Sequence, residues 1–193
     1  MDLVQLAPII AVLCLGAISP GPSLAVVLRN TIEGGRPRGV ACAVGHGIGF
    51  GIYAFIAISG IATLKASGYA TTLEIAGGLF LILLAALMVK GSEVQTYESK
   101  GKGFSEGFLI AFLNPKILAF QIAVFSQFIQ PDFSIAERLL VASVAMLIDG
   151  GWYVLVAVVI TGTPLIDHLQ NNHRKVELVM AATLTALAIW ILA

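Results

Sequence analysis

The chain has 193 residues, of which 58% are hydrophobic and only 11% charged, and its eleven basic residues balance its eleven acidic ones. A soluble domain carries about 25% charged residues, so a mean hydropathy of +0.95 excludes an ordinary soluble enzyme, and the absence of net charge argues against nucleic-acid binding. What remains is an all-α polytopic membrane protein. Cys14 and Cys42 lie inside apolar stretches, without a CxxC or a nearby His/Cys cluster. No disulfide framework, metal site or cofactor is therefore expected.

About 20 apolar residues cross a bilayer. Six such stretches follow one another, at 3–28, 40–64, 71–89, 108–129, 139–161 and 176–192. The connections are short, so residues 1–193 read as one membrane domain of six transmembrane helices. The first stretch is too long for a signal peptide and lacks a basic leader, so it is expected to be retained.

That first stretch is interrupted by Ser19-Pro20-Gly21-Pro22, and the fourth by Asn114-Pro115-Lys116. Proline lacks an N–H and its ring clashes with the preceding turn. In hydrocarbon the freed carbonyls need partners, so such breaks survive only within a bundle or beside a wet cavity. Matched breaks in two halves of a membrane chain point to a transport site. Ser19-Pro20 and Asn114-Pro115 each fit an N-cap followed by a first helical residue. Each break then starts a half-helix whose N–H groups and positive dipole end suit a carboxylate, and Lys116 adds a full positive charge. The plain structural alternative is a pair of tolerated kinks.

Lysine and arginine in the loops set orientation. Arg29, Arg36, Arg38, Lys90, Lys100, Lys102, Arg174 and Lys175 fall on one side, and Lys65 and Arg138 on the other. The first side is expected to be cytoplasmic and both termini outside. The longest loop, from Lys90 to Gly107, separates a first repeat at about 1–90 from a second at about 108–193. Three helices per half make the second repeat inverted relative to the first.

Asp149 lies near the centre of the fifth stretch. An Asp there costs about 2.5–3.5 kcal/mol on insertion scales, which marks it as functional by default. It suits a substrate ammonium or a coupling proton, and equally a structural pair with Lys116. His46, in the second stretch, is either a proton relay or a neutral hydrogen-bond partner. Glu74 reads as reaching the outer interface. Gly45/Gly49 and Gly47/Gly51 form two GxxxG patterns, which imply close helix packing, as do Gly77-Gly78 and Gly150-Gly151. Gln121 and Gln127 read either as lining a path or as bonding neighbouring helices. Phe125 and Phe128 read as packing.

These residues resemble the LysE/RhtB-type amino-acid exporters. Pro20-Gly21-Pro22, then Gly35, Arg38-Gly39 and Gly45, are similar to the family's first signature. Phe104, Gly107, Asn114-Pro115-Lys116, Gln127-Phe128 and Pro131 are similar to its second. Ser126 stands where a proline is common, and the sixth stretch lacks glycines often found there. The resemblance covers most of the chain. It implies export of amino acids or close derivatives across a bacterial inner membrane, driven by the proton gradient. It brings Pro20, Gly21, Pro22, Asn114, Pro115 and Lys116 into the substrate site, to which the residues themselves add Ser19, Asp149 and His46. Neutral amino acids are favoured, because a basic substrate needs a further acid. Monomer and homodimer both stay open.

Three other classes compete. A thiol–disulfide electron carrier needs a reactive cysteine pair across the bundle. A divalent-metal exporter needs several carboxylates or histidines at one depth. A scaffold gains nothing from buried charge.

Overall fold

The computed structural model describes residues 3–19, 21–90, 103–161, 163–164 and 172–192. Among these residues the regular structure is helical throughout, without a strand. The helices are α1 (Leu3–Ile18), α2 (Pro22–Leu64), α3 (Ala70–Lys90), α4 (Phe104–Phe112), α5 (Pro115–Phe128), α6 (Ile135–Leu155) and α7 (His173–Leu192). Single π-helical turns at Lys65–Tyr69 and Val156–Ile160 follow α2 and α6. Every one of the six apolar stretches carries a described helix, and the interruptions fall at Ser19–Gly21 and Leu113–Asn114.

α2 is not one rod. At 1.5 Å per residue its 43 residues would extend about 65 Å, roughly twice a bilayer core. Gly35, at φ 76°, reverses the chain instead, in a conformation open to glycine at no steric cost. Contacts across the reversal run in opposite directions along the sequence. Ser23 meets His46, Asn30 meets Arg38, and a Cβ on Gly39 would fall 2.0 Å from Thr31 Oγ1. Residues 22–34 and 36–64 are thus an antiparallel helical hairpin. The sequence places a loop at 29–39, whereas the chain stays helical up to and beyond Gly35.

A kink follows at Gly68, with φ 91°. Buried Lys65 reaches across it to Glu74, Nζ to Oε1 at 2.7 Å. Glu74 therefore neutralises a lysine.

Residues 36–64 form the axis of the bundle, and their glycines decide what lies beside them. Gly45 and Gly49 face α4, where added Cβ atoms would stand 2.1 Å from the Phe104 carbonyl oxygen and 2.8 Å from that of Phe108. Gly47 and Gly51 face α6, at 2.7 Å from Gly150 Cα and 2.7 Å from Met146 Cβ. The two GxxxG faces serve two different neighbours. The paired numbers rise together against α4 and run oppositely against α6, so this segment is parallel to the first and antiparallel to the second.

α3 packs on α5 and α7. Arg174, at the start of α7, donates to the carbonyls of Met88 and Val89 that end α3. Gly77 lies against Ser126 and Gln127 of α5, and Gly78 against Leu192. Gly150 is a contact glycine as expected, but nothing lies within 4 Å of a Cβ on Gly151, so the second glycine of that pair does not serve packing. Gln121 Nε2 donates to the Phe50 carbonyl at 3.1 Å and Gln127 Nε2 to that of Glu74 at 3.2 Å. Both glutamines bond neighbouring helices, and neither lines the cavity described below. Phe125 is fully buried in the main core.

Close approach at Gly107 makes a direct test. Its added Cβ would lie 1.9 Å from the Cys42 carbonyl oxygen, which is fixed backbone. Gly107→Ala should destabilise the purified protein by about 1–3 kcal/mol or more, read as a lower thermal midpoint. Gly60→Ala, with nothing within 4 Å, should leave it unchanged or slightly raised.

Candidate functional site

The two helix breaks open on one cavity of about 80 Å³. Ser19, Gly21 and Pro22 line it from the first break and Asn114 from the second, with His46 from α2 and Asp149 and Tyr153 from α6. The rest of the wall is largely apolar.

The first break is built differently from the expected Ser19-Pro20 start. The half-helix begins at Pro22 with Gly21 as its N-cap, in extended backbone and without a side-chain cap. The shift follows from the second proline, which takes the first helical position that needs no N–H. The Ala25 N–H bonds the Gly21 carbonyl. The N–H groups of Ser23 and Leu24 then precede the first helical bond and point toward the break. Ser19 is no cap, and its buried Oγ has no hydrogen-bond partner. Pro20 lies outside the described residues. The second break follows its expected pattern: Asn114 precedes α5, Pro115 is its first residue, and the Ile117 and Leu118 N–H groups bond the Asn114 carbonyl. The side chains of Pro115 and Lys116 lie outside the described residues.

Beneath the first break runs a buried chain of polar groups. His46 Nδ1 stands 2.6 Å from Asp149 Oδ2, and Nε2 stands 2.8 Å from Ser23 Oγ. Tyr153 lays its ring against the imidazole, with centroids 4.6 Å apart and planes at 66°. With Asp149 ionised, the Nδ1–H donates to the carboxylate and Nε2 accepts from the Ser23 hydroxyl. With the ring charged, Nε2 donates instead. All four residues are at least nine-tenths buried, so each protonation state must be satisfied within this set or by whatever fills the cavity. The proximity of α2 and α6 needed for the His46–Asp149 bond is supplied by the adjacent pair Gly47 and Gly150.

A second polar cluster holds the other end of the half-helix. Glu106, at the start of α4, is fully buried and ion-paired with Arg29. Asn30 Nδ2 donates to Glu106 Oε2 at 2.9 Å, while Asn30 Oδ1 accepts from Arg38 Nε at 2.7 Å and from the Gly103 N–H at 3.0 Å. Both arms of the hairpin and the start of α4 are joined there. Ser23, Tyr153, Asn30 and Glu106 were not singled out by sequence. Glu106 adjoins the apolar stretch and looks like a loop acid until the turn at Gly103 buries it.

Among the described residues no three His, Cys, Asp or Glu side chains gather as a metal site. Cys14 and Cys42 are free, and neither lines the cavity.

A bundle of apolar helices with a cavity at two helix breaks that presents a few buried polar groups has the organisation of a membrane translocator. The LysE type translocator family model matches residues 14–193, and the chain belongs to that family. It is 32% identical over 119 residues to the leucine efflux protein of Salmonella choleraesuis, an alignment covering 57% of this chain and 56% of that protein. The leucine efflux protein of Salmonella typhi aligns to the same extent. The chain thus spans just over half the length of the leucine efflux proteins it matches. It is 24% identical over 153 residues to the threonine efflux protein of Salmonella typhi, covering 72% and 74% of the two chains. No solved structure matches.

Removing one partner from a buried ion pair typically costs about 3–5 kcal/mol. Arg29 is one-third exposed, so Glu106→Ala should cost less, on the order of 2–3 kcal/mol, read by thermal unfolding in detergent. Glu33→Ala, which removes an exposed contact 3.9 Å from Arg38, should cost under about 0.5 kcal/mol.

Proposed function

We propose that this chain exports amino acids from the cytoplasm in exchange for protons, with neutral amino acids favoured. It does so as a six-span protein of the bacterial inner membrane with both termini outside. The observation that carries the proposal is the buried Asp149–His46–Ser23 chain on the cavity between the two breaks. Membership of the LysE family and the similarity to leucine and threonine efflux proteins support the substrate class.

An amino acid brings a carboxylate and an ammonium. The half-helix starts at Pro22 and Pro115 offer N–H groups and positive dipole ends to the first, and Lys116 adds charge. Asp149 takes the second. The ammonium and the coupling proton then compete for one carboxylate, and that competition makes the transport an exchange. His46 passes the proton between Asp149 and Ser23 by turning from acceptor to donor at Nε2. In each half a broken helix is followed by a long helix and a further helix, which supports inverted repeats closing on the cavity alternately from each side.

The same order of groups activates the serine of hydrolases. Here the chain belongs to a translocator family, so the bonds are read as a proton path. Covalent labelling of Ser23 by a fluorophosphonate would revive hydrolysis.

The test is efflux from proteoliposomes loaded with mixed labelled amino acids, with and without a pH gradient. Wild type should release neutral amino acids faster with the gradient. Asp149→Asn, His46→Ala and Lys116→Ala should each lower the rate by roughly 100-fold, the lower bound of typical proton-transfer contributions. Replacing both cysteines should leave it intact. Undiminished efflux in the three variants would remove the site from the account, and loss of activity on cysteine replacement would favour the electron-carrier class.

A further inference from the structure

One apolar contact on the cavity joins the two broken helices directly. Gly16 stands on α1 just before the first break, Phe120 stands on α5 beyond the second, and both line the cavity. A Cβ built on Gly16 would lie 2.8 Å from Phe120 Cζ and 3.1 Å from Cε1. Carbon atoms rest at about 3.5–4.0 Å, so the ring end occupies space that only glycine leaves. Phe120 also belongs to the main apolar core, which backs the ring on the side away from the cavity. The ring is therefore a wall with one movable edge. Leu13 of α1, Phe50 of α2 and Leu84 and Met88 of α3 bring further apolar surface. The cavity thus combines the polar groups of Ser23, His46 and Asp149 with an apolar enclosure.

Resting on the export reading above, we propose that the Gly16–Phe120 contact sets the size of side chain the cavity accepts. The substrates it selects are aliphatic amino acids of leucine size, and aromatic ones are rejected by the Phe120 ring. The apolar wall of the cavity suits an aliphatic side chain, and the Phe120 ring end against Gly16 fills the space into which a larger one would extend. A Cβ at position 16 pushes the ring into the cavity, and loss of the ring enlarges it. One methylene in an apolar pocket discriminates substrates about 10- to 200-fold, so changes of this size reorder them.

The experiment loads proteoliposomes with equal amounts of labelled alanine, leucine and phenylalanine and reads efflux ratios. Phe120→Ala and Phe120→Leu should raise phenylalanine relative to leucine by about 10-fold or more. Gly16→Ala should lower leucine relative to alanine by a similar factor, and Gly16→Ala combined with Phe120→Ala should restore it, because the clash is gone. That rescue separates a size filter from general damage. Phe120→Leu keeps an apolar group in the core and carries the test if Phe120→Ala does not accumulate. Ratios within about twofold of wild type, with total efflux retained, would overturn the size filter and leave export standing. A wild-type protein that exports none of the three would overturn selection of leucine-sized aliphatic substrates, and release of no amino acid from the mixed-label proteoliposomes would overturn export itself.

Discussion

A carboxylate in the middle of an apolar helix must have a hydrogen-bond donor, and much of this structure follows from how Asp149 obtains one. Its cost in hydrocarbon, about 2.5–3.5 kcal/mol, is offset only if a donor comes within contact distance and brings no unsatisfied group of its own. His46 does so at 2.6 Å, and its second nitrogen is satisfied by Ser23. The contact requires α2 and α6 to touch at the same level, which the neighbouring glycines Gly47 and Gly150 permit. It also requires Ser23 to face His46, which the reversal at Gly35 arranges. The glycines, the hairpin and the polar chain are thus one constraint seen at three scales.

The half-helix of residues 22–34 transmits that constraint. Ser23 at one end is bound into the cavity network, and Arg29 and Asn30 at the other are bound to Glu106. Seven residues of helix span about 11 Å, so a rigid rod joins a buried ionisable site to a buried ion pair. The first break leaves the end carrying Ser23 uncoupled from α1. A change of charge at His46 therefore alters the bonding at one end of this element.

Much of this was legible in the sequence, for physical reasons. Apolar length identifies helices, and the prolines of the two breaks mark where two of them restart, although the first restarts at Pro22 and not at Pro20. Asp149 and His46 stood out because charge within hydrocarbon is costly. Gly45 to Gly51 announced close packing, although the alternation of faces toward α4 and α6 needed coordinates. What was hidden depends on distant contacts. Ser23 is an unremarkable serine until a hairpin brings it to His46, 23 positions away. The hairpin itself was masked by the arginines at 36 and 38, which read as a loop although the chain there is helical apart from Gly35. Gln121 and Gln127 allowed two readings because polarity alone does not say whether a group faces a path or a neighbour's carbonyl. Ser19 was misassigned as a cap because two prolines competed for one helix start.

The central claim is that an amino acid and a proton exclude one another at a single carboxylate. The most direct measurement is proton release on substrate binding, followed with a pH indicator in weakly buffered detergent solution while leucine is titrated in. The account predicts that wild type releases protons in proportion to leucine bound, and that Asp149→Asn releases none. Leucine binding with no proton release from wild type, or equal release from Asp149→Asn, would contradict it.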